Sequence, residues 1–559
     1  MAFKSSRADA LQYSVAMESR LSSGSCRSST FALCLLVLLA LSLAVFWPGF
    51  WADWGRDDYM QLAMARLVDS PWAFFTTDHF PLPNSVFRPM GFASFWLGQA
   101  LAGTNFQGHA LIGFGLFAAT APLLFALLRR FEIGALAALL ATAVFAAHPV
   151  AVGTALWWSA RFDVLALLFS LIALHQARCT VLNGRSRHLV ATLLALLAAA
   201  LSKEIGLIAA AACVVMLQHQ AWTQRESFWR AQWASLLCTL VVMVFLAWRA
   251  AILGTGGSGI VGGAGLWTSL SEGLMRWFAV APGYVGFQQH LAWPAALQAL
   301  LVACLVVALL PVGRPLARQA GSRLPLLLIG LCLLLLPALL QAPVVRLNAL
   351  ALTAEMSSVE AAMQSRLYFM SLAGLALLLA MVLDRVIASD VVPRQLAVLI
   401  GVCGLIALLA GGTHQQARDF SDLSRANAEI ARQALRIADD YDWPSGSPCH
   451  LVIDEVEPPP EWSIYVSMDS VVKALYPDLE AIDHCFIHAN YPTFYHLISS
   501  EHGDADASPF VAPDYDGGPL ARRRVDGLTL VYLLGEDTLS EQARSKLPRR
   551  SLAELDPDQ

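Results

Sequence analysis

The sequence predicts an all-α polytopic membrane bundle of about eleven transmembrane helices, followed by a small C-terminal α/β domain on the extracytoplasmic side. Three observations carry this expectation. The chain of 559 residues is 57% hydrophobic and only 14% charged, with a mean hydropathy of +0.56, whereas soluble domains carry roughly a quarter of charged residues. Apolar runs long enough to cross a hydrocarbon core of about 30 Å recur through the first three quarters of the chain. Charge is also divided, because the segment from Gly412 onward holds 12 Lys and Arg against 26 Asp and Glu, a net of −14 that leaves +9 on the rest of the chain.

The expected domains are a cytoplasmic N-terminal tail at 1–30, a membrane domain at 31–412 with a large first outer loop at 50–106, and an acidic soluble domain at 413–559. The apolar runs fall at 31–48, 107–128, 134–152, 155–175, 189–202, 204–218, 234–253, 294–312, 324–341, 366–383 and 395–412. The first run passes into "VFWPGFW" without a small-x-small cleavage site, so it reads as a retained anchor. With the N-terminus in the cytoplasm, the inner loops and the first thirty residues together hold 16 Lys and Arg, against roughly half as many on the outer loops, as the positive-inside rule requires. This places the protein in a cell inner membrane, multi-pass, with the C-terminal domain in the periplasm.

The outer side holds the chemistry-bearing residues. "WADWGRDDYMQL" (51–62) sets Asp53, Asp57 and Asp58 just beyond the first span. The loop that follows is too long for a simple connection and rich in Trp, Phe and Pro. Within it "MGFASFWLGQAL" (90–101) reads as an amphipathic helix lying in the interface, with Phe92, Phe95, Trp96 and Gln99 at the headgroup boundary. Arg88, Arg161, Lys203 and Arg366 all fall at outer helix ends. Arg161 and Asp163 do not face each other on a helix, and each is costly at the start of an apolar run unless something polar meets it. His148 and Pro149 interrupt the third run, Lys203 and Glu204 separate two short ones, and Trp157 with Trp158 fit an interfacial aromatic belt.

Taken in order, the acidic pair Asp57–Asp58, then "FRP" (87–89), "HPVAVGTALWWSARFDVL" (148–165), "SKE" (202–204) and "RLYFMSLAGLALLLA" (366–380) resemble the motifs of the GT-C glycosyltransferases. Within them the sequence is most similar to the membrane core of the TPR-containing O-mannosyltransferases and their bacterial relatives, over about residues 31–412. The resemblance implies a GT-C-like membrane domain that moves a sugar from a polyprenyl-phosphate-linked donor to an extracytoplasmic acceptor, either protein, lipid or cell-envelope glycan. It implies Asp57 or Asp58 as the general base. It also implies a substrate-binding set of Arg88, His148, Arg161, Asp163, Lys203, Glu204, Arg366 and Tyr368. Two departures are local: Phe87 stands where Tyr is usual, and Phe162 stands where Lys is frequent. A third is larger, since the tail has no 34-residue repeat of the kind that would hold a peptide acceptor.

The chemistry agrees with this assignment. A hydroxyl attacking an anomeric carbon needs a carboxylate to take its proton, and a departing lipid phosphate needs fixed cations to meet its charge. No spacing suited to zinc is present, and the first-loop acids Asp57 and Asp58 are adjacent rather than an Asp-x-Asp pair, so no cofactor or metal is expected, a divalent cation being left open by the family's varied metal use. Basic residues are dispersed, which argues against nucleic acid; the expected partners are the lipid-linked sugar, its acceptor and the bilayer. A transporter or flippase of a lipid-linked or amphipathic solute is the competing class, but it predicts internal repeats and mid-membrane polar residues. A scaffold that recruits an envelope partner through its tail is a third.

The tail reads as a helix over "SDLSRANAEIARQALRIADD" with Leu423, Ala426, Ile430, Ala434 and Ile437 on one face, then strands at 450–456, 481–488 and 527–534. Cys449 and Cys485 are the only cysteines on the outer side and form a candidate disulfide suited to an oxidising compartment, with two buried free thiols as the alternative.

Overall fold

A computed structural model describes residues 24–55, 57–78, 86–223, 228–254, 267–268, 270–275, 320–347, 365–389, 391–439, 449–455, 485–490, 521–525 and 529–534. Its helices are α1 (Gly24–Phe46), α2 (Asp57–Leu67), α3 (Pro89–Ala102), α4 (Phe106–Arg130), α5 (Ala135–Ala147), α6 (Ala151–Leu156), α7 (Arg161–Asn183), α8 (Ser186–Ser202), α9 (Leu207–Thr223), α10 (Phe228–Leu253), α11 (Ala320–Leu347), α12 (Phe369–Ile387) and α13 (Val392–Asp439). Among the described residues eight helical segments are long and apolar enough to cross a membrane, and Ala135–Ala147 and Ser186–Ser202 are shorter apolar helices among them. The expected run at 294–312 lies outside the described residues.

Polar contacts define the two ends of the bundle. At one end Asp384, late in α12, accepts the Gly134 N–H at 2.7 Å and pairs with Arg323 at 2.7 Å. At the other end the Thr413 hydroxyl donates to the Ala147 carbonyl at 2.7 Å. The thirteen residues of α5 therefore run from one end to the other. Likewise α8 pairs His188 with Gln176 at 2.9 Å near one end and reaches the start of α7 at the other through Lys203 and Asp163. Each of these two short apolar helices stops at a break that carries polar residues.

The break after α5 follows from Pro149, which has no N–H and pushes the preceding residue into an extended conformation. His148 is extended at φ −78°, ψ 134°, and the chain resumes as α6. A backbone break in an apolar bundle frees carbonyls that need new donors. Thr413 of α13 supplies one to Ala147, and Ser365 supplies one to Val150 at 3.0 Å. Closer packing occurs where α11 meets α12: a Cβ on Gly374 would lie 2.5 Å from the Leu334 nitrogen and 2.6 Å from the Gly330 carbonyl oxygen, so only glycine lets the two backbones approach.

Two parts of the fold differ from the sequence expectation. Helix α3 does not lie with its aromatic face in the interface: Phe92 and Phe95 are buried and pack edge-on against Phe162, while Leu97 and Leu101 are exposed. The protein's own aromatic core outcompetes the headgroup layer for those rings. The helix at the start of the tail is not separate either. It continues the last span without interruption, making α13 a single helix of 48 residues, or about 72 Å at 1.5 Å per residue. Position 412 thus marks a change of composition but no structural break. Beyond it Ala417, Phe420 and Ala428 remain buried, and α13 packs on the 3₁₀ turn Trp47–Trp51 and the first loop.

After α13 come β1 (Cys449–Glu455), β2 (Cys485–Asn490), β3 (Ala521–Val525) and β4 (Thr529–Leu534) in a sheet of order β2-β1-β4-β3. Strands β1 and β2 are parallel with Cys449 opposite Cys485, and the other pairs are antiparallel. Strand β3, unexpected from the sequence, carries Arg522–Arg524.

If the hydroxyls at the α5 break satisfy freed carbonyls, Thr413→Val should lower stability by about 1–3 kcal/mol, the cost of an unmet buried acceptor. Thr239→Val, whose hydroxyl only doubles a bond within its own helix, should leave the thermal unfolding midpoint in detergent unchanged.

Candidate functional site

The site forms at the end of the bundle where α3, α7 and α9 begin. Arg88 is the residue before Pro89, which opens α3 at the position where a missing N–H costs nothing. Its Nε and Nη2 donate to one oxygen of Glu204, Oε2, at 3.0 and 2.9 Å. Its guanidinium sits 5.4 Å from the centre of the Phe162 ring. Phe162, a departure from the family pattern, thus provides an aromatic platform for the cation.

Lys203 is extended, at φ −165° and ψ 147°, and ends α8; the 3₁₀ turn Glu204–Gly206 then leads into α9. Its ammonium donates to both carboxylate oxygens of Asp163, at 2.7 and 2.8 Å. Side-chain exposures of 11% and 5% make this a buried pair. Lying in the turn between two spans, Lys203 has its pKa pushed down to about 8: burial is the main cause, the neighbouring charges of Arg88 and Arg366 add to it, and Asp163 opposes it.

Arg366 comes from the 3₁₀ turn Ser365–Tyr368, and its guanidinium lies 4.1 Å from the centre of the Trp157 ring. Tyr368 is fully buried and caps α12. Three cations from remote parts of the chain, Arg88, Lys203 and Arg366, are therefore close enough to act on one another, with Glu204 paired to Arg88 and Asp163 to Lys203. The Trp157 and Trp158 rings, expected in an interfacial belt, are instead both buried and serve as partners for arginines.

Asp58 belongs to the same end. It is 1% exposed; its Oδ1 accepts the Ser159 N–H at 2.9 Å and the Ser159 hydroxyl at 2.7 Å, and its Oδ2 accepts the Gly55 N–H at 3.3 Å. With its own N–H donating to the Gly55 carbonyl at 3.0 Å, Asp58 fixes the start of α2 against the Trp158–Ala160 turn. Asp57 immediately precedes it as the first residue of α2. Asp53 has a different task, pairing with Arg432 and accepting the Trp54 N–H at 2.8 Å.

Two of the expected residues stand apart from the charge cluster. His148 closes the break after α5, its Nδ1 accepting the Val150 N–H at 3.1 Å. Arg161 leaves α7 on the side away from Asp163. It donates to the Ser94 carbonyl at 3.0 Å and the His109 carbonyl at 3.2 Å, and lies 5.2 Å from the ring centres of both Phe95 and Trp158. Residues that the sequence reading passed over include Ser159, which holds Asp58, and His109, which meets Arg161. The run from Trp157 to Arg161 was the sequence signal for Ser159, since it packs aromatic, hydroxyl and cationic groups into five positions at a helix start; His109, in an ordinary apolar helix, carried none. Among the described residues no three His, Cys, Asp or Glu side chains group as metal ligands.

Compared with known protein families and with curated proteins, the chain matches no family and no individual protein.

A buried ion pair broken on one side leaves an uncompensated charge worth about 3–5 kcal/mol. Asp163→Ala alone should therefore sharply reduce folded protein in detergent, whereas the double change Asp163→Leu with Lys203→Met should recover most of it. Size-exclusion yield and thermal unfolding read both outcomes.

Proposed function

We propose that this protein is an integral membrane glycosyltransferase of the GT-C type, moving a sugar from a polyprenyl-phosphate-linked donor to an extracytoplasmic acceptor. The observation that carries this reading is the convergence of Arg88, Lys203 and Arg366, at the bundle end where the Trp157–Ser159 stretch meets Arg366 through Trp157 and Asp58 of α2 through Ser159. These residues lie in the motif stretches that resemble the family, and the contacts linking them span up to 116 positions for Arg88 with Glu204. The arginine bias of the opposite loops supports an orientation in which this end faces the periplasm.

The proposed step breaks the bond from the anomeric carbon to the phosphate oxygen and forms one to the acceptor oxygen. The acceptor's proton passes to a carboxylate, and the polyprenyl phosphate leaves with the electron pair. Cations in a water-poor site stabilise the phosphate's growing charge far better than they would in water. Glu204 and Asp163 hold two of the cations in place, and Trp157 and Phe162 support two guanidinium planes from below.

Of the two adjacent acids, Asp58 already accepts three hydrogen bonds in a closed setting and acts as the anchor of the loop. The base role therefore goes to Asp57. Asp57→Asn should abolish transfer of glycan with membrane protein level unchanged, while Asp58→Asn should lower the amount of folded protein. Glycan profiling of cells alongside quantified membrane levels distinguishes them; wild-type glycans in the Asp57→Asn cells overturn the assignment.

Lys203 adds a pH signature. With its pKa lowered to about 8, its charge is lost as pH rises through that value, so polyprenyl-phosphate binding should weaken there. Stability moves the other way. Between the lowered value and the ordinary 10.5 the unfolded state binds more protons, so the burial penalty is relieved as pH rises. Lys203→Arg keeps the charge and should flatten the binding curve measured by fluorescence titration in micelles.

A further inference from the structure

A second polar recess lies on the other side of α7 from the charge cluster. It is a cleft bounded by Gly49 and Phe50 of the 3₁₀ turn after α1, by His109, Ala110, Gly113 and Phe114 of α4, and by the segment Thr154–Arg161. Its interior has room for one water-sized group, so a single oxygen of a larger group can enter while the rest stays at the rim. Although Phe50, Phe114 and Leu156 make much of the wall apolar, the floor is not. Arg161 is 1% exposed and makes no ion pair among the described residues; the carboxylate whose charge acts on it, Asp58, is committed to Ser159 and the Gly55 N–H. Its Nε, the indole nitrogens of Trp157 and Trp158, and the Thr154 hydroxyl are buried with no hydrogen-bond partner among the described residues.

Four unpaired donors, one on the buried Arg161 itself and three beside it, define an acceptor-shaped, negatively charged occupant, since each unmet donor is costly at low dielectric. His109 completes the set. Its Nε2 lies 2.7 Å from the Gly103 carbonyl and so carries the proton, which leaves Nδ1 as an unpaired acceptor suited to a hydroxyl.

Depth indicates the source of the anion. The cleft lies beside the first two turns of α4, and its rim residues Phe50, Ala110 and Gly113 are part-exposed. Trp47 and Trp51 of the same 3₁₀ turn are more than half exposed, as tryptophans at the headgroup level of a membrane are. Gly113 keeps the entrance open: a Cβ there would come within 3.7 Å of Arg161 Nη2.

We propose that this cleft is a lateral seat for the phosphate of an anionic, hydroxyl-bearing phospholipid headgroup such as phosphatidylglycerol. One phosphate oxygen enters between the 3₁₀ turn and α4 and is held by Arg161, the two indole N–H groups and Thr154, with the headgroup hydroxyl donating to His109. The seat shares the Trp157 ring with Arg366 of the charge cluster but none of Arg88, Lys203 or Arg366, so lipid binding can be blocked at its entrance without touching the cations of the proposed sugar-transfer site.

The test uses the full-length protein in detergent, with native mass spectrometry and thermal unfolding as readouts. Phosphatidylglycerol should remain bound and stabilise, and phosphatidylcholine, which carries the same phosphate but no headgroup hydroxyl, should bind about tenfold more weakly, as expected for loss of the hydroxyl's hydrogen bond. Gly113→Leu and Ala110→Phe fill the entrance without removing the Arg161 hydrogen bonds, and each should weaken phosphatidylglycerol binding about tenfold or more. Gly115→Leu, on the same helix with open space around it, should bind as wild type. Wild-type affinity in both blocking variants overturns the seat. Equal stabilisation by sodium phosphate or sodium chloride without lipid, lost in the blocking variants, assigns the cleft to a free ion and overturns the lipid.

Discussion

Every feature of the site end depends on one constraint: in an apolar bundle, a polar group freed by a backbone break or carried on a side chain must find a partner inside the protein. Pro149 breaks the path after α5, and Thr413 and Ser365, from helices far along the chain, meet the carbonyls nearby. Lys203 breaks the path between α8 and α9, and its ammonium finds Asp163. These two breaks are what allow short helices to bring polar residues to the same end. Without the breaks, α5 and α8 would run past the site as plain apolar cylinders.

The same constraint sorts the charges into two groups on either side of α7. Arg161 and Asp163 are two residues apart, which on a helix turns them in nearly opposite directions. Asp163 joins Lys203 and the neighbouring Arg88–Glu204 pair. Arg161 turns instead to backbone carbonyls and aromatic faces, and no acid pairs with it among the described residues. A pair placed face to face would have neutralised itself; separation leaves Asp163 paired with Lys203 on one side, and on the other Arg161, whose nearby acid Asp58 is held by Ser159. The proposed donor phosphate and the proposed lipid headgroup are assigned one to each side.

The first outer loop is held at both ends of its acidic start. Asp58 is tied to the Trp158–Ala160 turn, and Asp53 is tied to Arg432 on the far part of α13. The long helix thereby reaches from the membrane-spanning bundle to the loop that carries the proposed base. Asp53 N–H donating to Ser424 at 3.1 Å adds a second clasp. Loop geometry here depends on a helix that composition alone assigns partly to a soluble tail.

Hydropathy, net charge and breaker residues were enough to read the helical bundle, the eight described helices long and apolar enough to cross a membrane, and the break at Pro149, because those depend on local composition and on backbone chemistry that each residue carries with it. The residues Arg88, Asp163, Lys203, Glu204 and Arg366 were also legible, as charges that an apolar run tolerates only with a partner. Which partner each one takes was not, since the pairs are set by helix packing between positions up to hundreds of residues apart. Tertiary packing alone buried Phe92 and Phe95 in the core, moved Trp157 and Trp158 from the interface to the arginines, committed Asp58 to Ser159, and ran α13 through position 412. In each case the deciding energy is a contact with a distant element, and the propensity of a short stretch contains no record of it.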